Sequence, residues 1–78
     1  MNTKKLPKGM KIQVAREAHF FGFYKGFNVD VEKESSTDTF YIQVFGDKGT
    51  SYDGYWRKIG ATMDDAVQEA LRGSELLF

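Results

Sequence analysis

The chain contains no cysteine, only one proline and only one histidine. No disulfide can form, and the paired Cys or His spacings of common zinc sites are excluded. No apolar stretch approaches the roughly 20 residues of a membrane-spanning helix, and the N-terminal lysines are not followed by the apolar segment of a signal peptide. We therefore expect a cytoplasmic protein without a membrane segment, a metal or another cofactor.

Recognisable catalytic patterns are also missing. His19 is the only histidine, and the chain has no cysteine for it to activate. The segment Gly46–Gly49 lacks the Gly-Lys-Ser/Thr ending of a phosphate-binding loop and instead predicts a tight turn. Asp64 and Asp65 fall in the first turn of a predicted helix, where they complement the helix dipole. We predict that the protein is not an enzyme.

Aromatic residues supply much of the apolar surface that the chain does have, with seven Phe, four Tyr and one Trp among 78 residues. Twelve rings are more than a small core beneath one helix easily hides. Some should therefore lie at the surface, either as ordinary half-exposed strand residues or as part of a partner-binding face.

The charges balance overall but are unevenly distributed. Residues 1–16 hold five basic and no acidic residues, whereas residues 17–78 hold six basic and eleven acidic ones. Pro7 and Gly9 interrupt any regular structure near the N-terminus. We predict a flexible basic leader over residues 1–9 and a single acidic domain over residues 10–78.

The clearest structural pattern is a helix near the C-terminus. Apolar residues recur on one side of the run from Met63 to Leu71, as in a helix that covers a core. Thr62, with Asp65 three residues later, forms a predicted capping box. Gly73 stands where a helix commonly ends in a left-handed residue.

Three stretches before this helix alternate as half-buried strands do. In the first, Phe23, Phe27, Val29 and Val31 are set against Asn28, Asp30 and Glu32. In the second, Phe40, Ile42 and Val44 are set against Tyr41, Gln43 and Phe45. In the third, Tyr52, Gly54 and Trp56 are set against Asp53 and Tyr55.

These patterns predict an α+β fold in which the C-terminal helix covers one face of a three-stranded antiparallel meander. The segment 10–19 is ambiguous, because its apolar residues fit both a strand and one face of a helix. The propensities of Ala15 to Ala18 favour a short helix. The predicted order is then α-β-β-β-α, and the second sheet face is either solvated or used for binding.

The chain resembles two classes of protein, the first through particular segments and the second through its size and its lack of catalytic motifs. The segments Val29–Lys33, Phe40–Val44 and Gly60–Ala66 together resemble the N-terminal module of HicB-type antitoxins, which implies the same strand and helix order and a protein partner. In size and in its lack of catalytic motifs, the chain is also similar to small inhibitors of phages and mobile elements, such as anti-CRISPR proteins. Those inhibitors act by occluding a larger assembly.

The predicted element order is also that of double-stranded-RNA-binding domains, which place lysines at the start of the second helix. Here that position holds Asp64 and Asp65, which would repel phosphates. An RNA-recognition sheet would use strand aromatics such as Tyr41 and Phe45, but Asp30 and Glu32 lie close by. Protein binding is therefore the favoured hypothesis, under which the protein makes no direct contact with nucleic acid. Nucleic-acid binding is kept as the alternative.

The sequence thus favours a non-catalytic module that binds a protein or ribonucleoprotein, as an inhibitor or antitoxin-like protein. The chain end forms a second apolar surface, which we expect either to fold back on the domain or to pair in a homodimer through Leu76, Leu77 and Phe78. The predicted partner-binding residues are Tyr41, Phe45, Tyr55, Asp30, Glu32 and Glu34.

Overall fold

A computed structural model describes residues 6–34 and 37–76. Five strands and one helix follow one another along the chain. The strands are β1 (Lys11–Ala15), β2 (His19–Tyr24), β3 (Phe27–Lys33), β4 (Thr39–Gly46) and β5 (Gly49–Arg57), and the helix is α1 (Met63–Gly73). The strands form one antiparallel sheet in sequence order, and α1 packs on one of its faces.

The predicted α+β class and the antiparallel sheet are confirmed, but the three-stranded meander with an N-terminal helix is wrong. The segment 10–19 forms β1, the short connection that follows it and the first residue of β2. Only residues 10–18 lie between Gly9 and β2, and an isolated helix of that length is marginal. As a strand, the segment pairs with β2 from Lys11↔Phe23 to Ala15↔Phe20.

The predicted first strand is in fact two strands joined by a hairpin turn. Lys25 and Gly26 both have positive φ, 50° and 85°. That is the signature of a two-residue type I′ turn, whose twist suits a β-hairpin. Because the chain reverses here, Phe23 lies opposite Asn28 rather than on the face of Val29 and Val31.

The core lies between α1 and the sheet face that it covers. Val29, Val31, Phe40, Ile42 and Val44 are fully buried on that face, which confirms the alternation predicted for β3 and β4. Tyr52 and Trp56 of β5 pack against the edge of this core. The helix contributes its small and medium apolar residues, all of them buried: Met63, Ala66, Val67, Ala70 and Leu71.

Both ends of the described chain approach this core. Leu6, within the predicted leader, is buried, and so is Met10. Leu76 is also buried, and its carbonyl oxygen accepts a hydrogen bond from Lys25 Nζ at 3.1 Å. The prediction that the chain end folds back or pairs in a homodimer also includes Leu77 and Phe78. These two residues lie outside the described residues, as do residues 1–5.

The helix begins as predicted but ends differently. The backbone N–H of Thr62 donates to the Asp65 carboxylate at 3.0 Å, as in a capping box. Gly73, however, is the last helical residue and not the left-handed one. A side chain at Gly73 would overlap the ring of Tyr52, so close packing rather than backbone conformation explains this glycine.

The left-handed residue of the helix end is Glu75, with φ of 59°. The N–H of Leu76 donates to the Leu71 carbonyl at 2.8 Å, and the N–H of Glu75 donates to the Arg72 carbonyl at 3.1 Å. These two bonds form a Schellman motif, in which glycine is the usual left-handed residue.

Replacing Glu75 by glycine should therefore stabilise the protein. Removing the Cβ relieves the cost of the left-handed conformation, about 1–2 kcal/mol. Part of this gain is lost, because glycine increases the conformational entropy of the unfolded chain. We expect a net gain of about 0.5–1 kcal/mol in the free energy of unfolding, measured by urea denaturation. Glu75→Ala removes the same charge but keeps the Cβ, and it should give no such gain. Equal effects of the two variants would contradict this reading of the helix end.

Candidate functional site

The sheet face opposite α1 is not covered by any element of the described residues. The register of the strands brings side chains from all five strands into rows on this face, which we call the open face. One row joins His19, Glu32, Tyr41 and Tyr55. The next joins Val14, Phe21, Asp30, Gln43 and Asp53. A third joins Lys11, Phe23, Asn28, Phe45 and Thr50.

Five aromatic side chains lie on the open face. Phe23 is 38% exposed, Phe45 is 36% exposed and Tyr55 is 67% exposed, which are high values for large apolar side chains. Phe21 and Tyr41 are half-buried. Since single exposed apolar residues are ordinary but several on one face are not, this arrangement points to a surface that contacts another molecule.

Tyr41 and Tyr55 form a pair at one end of the open face. Their ring centroids are 4.9 Å apart and the rings are tilted by 41°, an arrangement within the favourable range for aromatic pairs. The Tyr41 hydroxyl donates to Asp53 Oδ1, and this hydrogen bond is the main reason why the pKa of Tyr41 is raised. The bond fixes the ring of Tyr41, so the pair presents a pre-ordered aromatic surface.

A histidine and two carboxylates lie beside the aromatic residues. His19 Nε2 is 3.0 Å from Asp30 Oδ1, and both side chains are partly exposed. Together with Glu32 they offer three ligand atoms that all lie within 4.8 Å of one another. Such a set has the chemistry to hold a divalent cation, with the remaining ligands supplied by water or a partner. Spacing along the chain does not reveal it, because β2 and β3 bring these residues together only in the sheet.

The residues predicted as partner-binding therefore fall on one surface. Tyr41, Phe45, Tyr55, Asp30 and Glu32 all lie on the open face. The sixth, Glu34, is exposed just after β3, where its N–H donates to the Thr39 carbonyl at 2.8 Å and continues the pairing with β4.

Phe21 and Phe23 are two open-face aromatics that sequence reasoning missed. The notion of a single strand through Phe23 and Val29 placed Phe23 on the wrong face. The local signal for the turn that places them is the pair Lys25-Gly26 between two alternating runs. It is weaker than Asn-Gly or Asp-Gly, because lysine adopts a positive φ less readily than asparagine or aspartate.

The helix α1 has 11 residues, and no helix in the described part of the chain is long and apolar enough to cross a membrane. Comparisons with protein-family models, with curated proteins and with solved structures find no match to this chain.

Proposed function

We propose that the protein is a small, non-catalytic binding module whose open face docks on another protein and occludes it, in the manner of an inhibitor or antitoxin. The observation that carries this proposal is the presence of five aromatic side chains on the one sheet face that α1 leaves uncovered. Aromatic side chains of this kind dominate the energetics of protein interfaces.

Charge favours a basic partner. Asp30, Glu32 and Asp53 lie on the open face and Glu34 lies at its margin. The basic strand residues on the same face are Lys11, in the third row, and Arg57, which pairs with Thr39 beyond the first row. A partner with apolar side chains surrounded by lysine or arginine would match both features. A protein groove that normally holds nucleic acid has this chemistry, and occupying it would explain how so small a module could inhibit.

The same charges disfavour the alternative of nucleic-acid binding. Sheets that stack bases on exposed aromatics depend on basic neighbours to hold the phosphates. Here Asp30 and Glu32 stand in the middle of the face, and Glu32 directly faces Tyr41 across the strands. The aromatic cluster therefore suits apolar side chains better than it suits bases.

Alanine substitutions at Tyr41, Phe45 and Tyr55 test the proposal. Each should weaken binding by more than about 1 kcal/mol, roughly fivefold in Kd, if it is an interface hot spot. The partner is first captured from lysate of the source organism with nuclease present, and the affinities are then measured by calorimetry with the purified partner.

Ile59→Ala is the matched control, because Ile59 is 82% exposed but lies in the connection between β5 and α1 rather than on the open face. It should leave the affinity unchanged. Unchanged affinity in all three aromatic variants would remove the open face from consideration. Binding of duplex RNA or DNA by micromolar protein at about 150 mM salt, with the steep salt dependence of phosphate contacts, would support the nucleic-acid alternative instead.

A further inference from the structure

The two edges of the sheet are protected to very different degrees. The β1 edge has only 5 residues, carries Lys11 and is interrupted by a register shift between Ile12 and Val14. Short length, lysine and irregular register are the features by which proteins prevent edge-to-edge pairing. β5 has 9 residues and no lysine. Its register shifts once, between Thr50 and Tyr52, and is regular from Tyr52 to Arg57; among the described residues β5 pairs only with β4.

The outer backbone groups of β5 belong to alternate residues. The N–H of Lys58 donates to the Asp38 carbonyl at 3.3 Å, so Lys58, just after β5, directs its backbone groups toward the β4 side of the strand. Inward and outward backbone groups alternate in an antiparallel strand. Asp53, Tyr55 and Arg57 therefore direct their N–H and C=O groups toward the free edge.

The side chains of the same strand are complementary to their own two-fold copy. Asp53 and Arg57 are equally distant from Tyr55 along the chain, all three lie on the open face, and the two charges are opposite. If two β5 strands pair antiparallel with Tyr55 facing Tyr55, each Asp53 faces an Arg57. Arg57 has no ion-pair partner within residues 6–34 and 37–76.

The other side of the strand fits the same register. Gly54 then faces Trp56 of the second copy, and a Cβ built on Gly54 meets nothing within 4 Å. Trp56 is only half-buried in the single chain and can extend over this space. Registers centred on neighbouring residues lose these matches. Centring on Asp53 brings like charges together, and centring on Gly54 or Trp56 leaves Asp53 without Arg57 opposite.

We propose that the protein forms a homodimer in which the β5 strands of two chains pair antiparallel about a two-fold axis at Tyr55. The pairing adds about six main-chain hydrogen bonds and joins the two sheets into one of ten strands. The axis is perpendicular to the sheet, so both helices lie on one side and the two open faces become one continuous surface on the other. This goes beyond the proposed function, since it uses the sheet edge and does not depend on which partner the open face binds.

Charge reversal tests the register. In sedimentation velocity over a concentration series, the wild-type chain of 8.9 kDa should approach twice this mass. Arg57→Asp and Asp53→Arg should each shift the protein to the monomer, because each places like charges opposite one another twice. The double variant with both substitutions restores opposite charges and should restore the dimer. A wild-type monomer at every concentration would overturn the proposal, as would single variants that stay dimeric or a double variant that stays monomeric.

Cross-linking gives a second test that does not depend on the folding of charge-reversal variants. The natural chain has no cysteine, so Tyr55→Cys provides a single thiol directly opposite its copy, at a separation that a disulfide can span. Mild oxidation should convert most of this variant into a covalent dimer. In the proposed register Ile59 lies several residues away from its own copy, so Ile59→Cys should stay monomeric. Equal cross-linking of the two variants would refute the register.

Discussion

Replacing Val67 by aspartate is expected to unfold the protein. Val67 is fully buried on the side of α1 that faces the sheet. A charge placed there without a partner costs about 3–5 kcal/mol. The hydrophobic core of a chain of fewer than about 80 residues rarely supplies more stability than about 3–5 kcal/mol. Circular dichroism should therefore show no cooperative thermal transition for Val67→Asp.

Gln68→Asp is the matched control, because it places the same charge at the residue next to Val67. Gln68 is only partly buried. Its cost should stay near the small helix-propensity difference, below about 1 kcal/mol. If Val67→Asp melts within a few degrees of the wild type, the orientation of α1 on the sheet is wrong.

Replacing Phe20 by alanine is expected to produce the second-largest loss. Phe20 is fully buried and lies opposite Val31 on the covered face of the sheet. Truncating a buried phenylalanine leaves a cavity and costs about 3–5 kcal/mol. Urea denaturation should show this loss, provided that enough folded protein remains to define a transition.

Comparing Phe21→Ala with Phe20→Ala tests whether this region is a strand rather than a helix. Phe21 lies on the open face opposite Asp30 and is half-buried. In a strand, adjacent residues point to opposite faces, so Phe21→Ala should cost much less than Phe20→Ala, about 1 kcal/mol. Equal losses in the two variants would contradict the alternation of β2 and with it the five-stranded sheet.

The parts of the fold that could be predicted from the sequence are those whose local patterns and tertiary contacts agree. The helix from Met63, the alternation in β4 and the turn at Gly46–Gly49 all follow from spacing alone. Gly46 indeed pairs with Gly49 across that turn. In each case a single face is apolar and the neighbouring turn residues are unambiguous, so propensity and burial specify the same structure.

The first two strands could not be predicted, because their local signals conflict. Residues 15–18 favour helix by propensity, but residues 11–15 gain their backbone hydrogen bonds only by pairing with β2. That gain is non-local and is not visible in a sequence window. The ends of helices pose a similar problem. Gly73 is a typical left-handed residue, yet the helix continues through it and Glu75 takes the left-handed conformation. The glycine at position 73 is explained instead by the ring of Tyr52, which occupies the space where a Cβ would lie.

The candidate site was predictable only in part, for the same reason. Tyr41, Phe45 and Tyr55 lie on strands whose alternation is clear, so their face could be assigned. Phe21 and Phe23 lie on β2, whose existence depends on the turn at Lys25 and Gly26. The approach of His19 to Asp30 and Glu32 depends on the β2–β3 register, which the sequence does not reveal.

Site-specific photocross-linking tests the central claim, that the open face contacts another protein, most directly. Benzoylphenylalanine is incorporated at Phe45 on the open face and, as a control, at Arg72 on the exposed side of α1. Phenylalanine is a close analogue of the probe, so the substitution at Phe45 keeps an aromatic side chain on the surface. Both proteins are irradiated in nuclease-treated lysate of the source organism. We predict a discrete protein adduct from position 45, lost when Tyr41 is also replaced by alanine, and none from position 72. An adduct from position 72 alone, or cross-links at position 45 that form only with nucleic acid, would contradict the account.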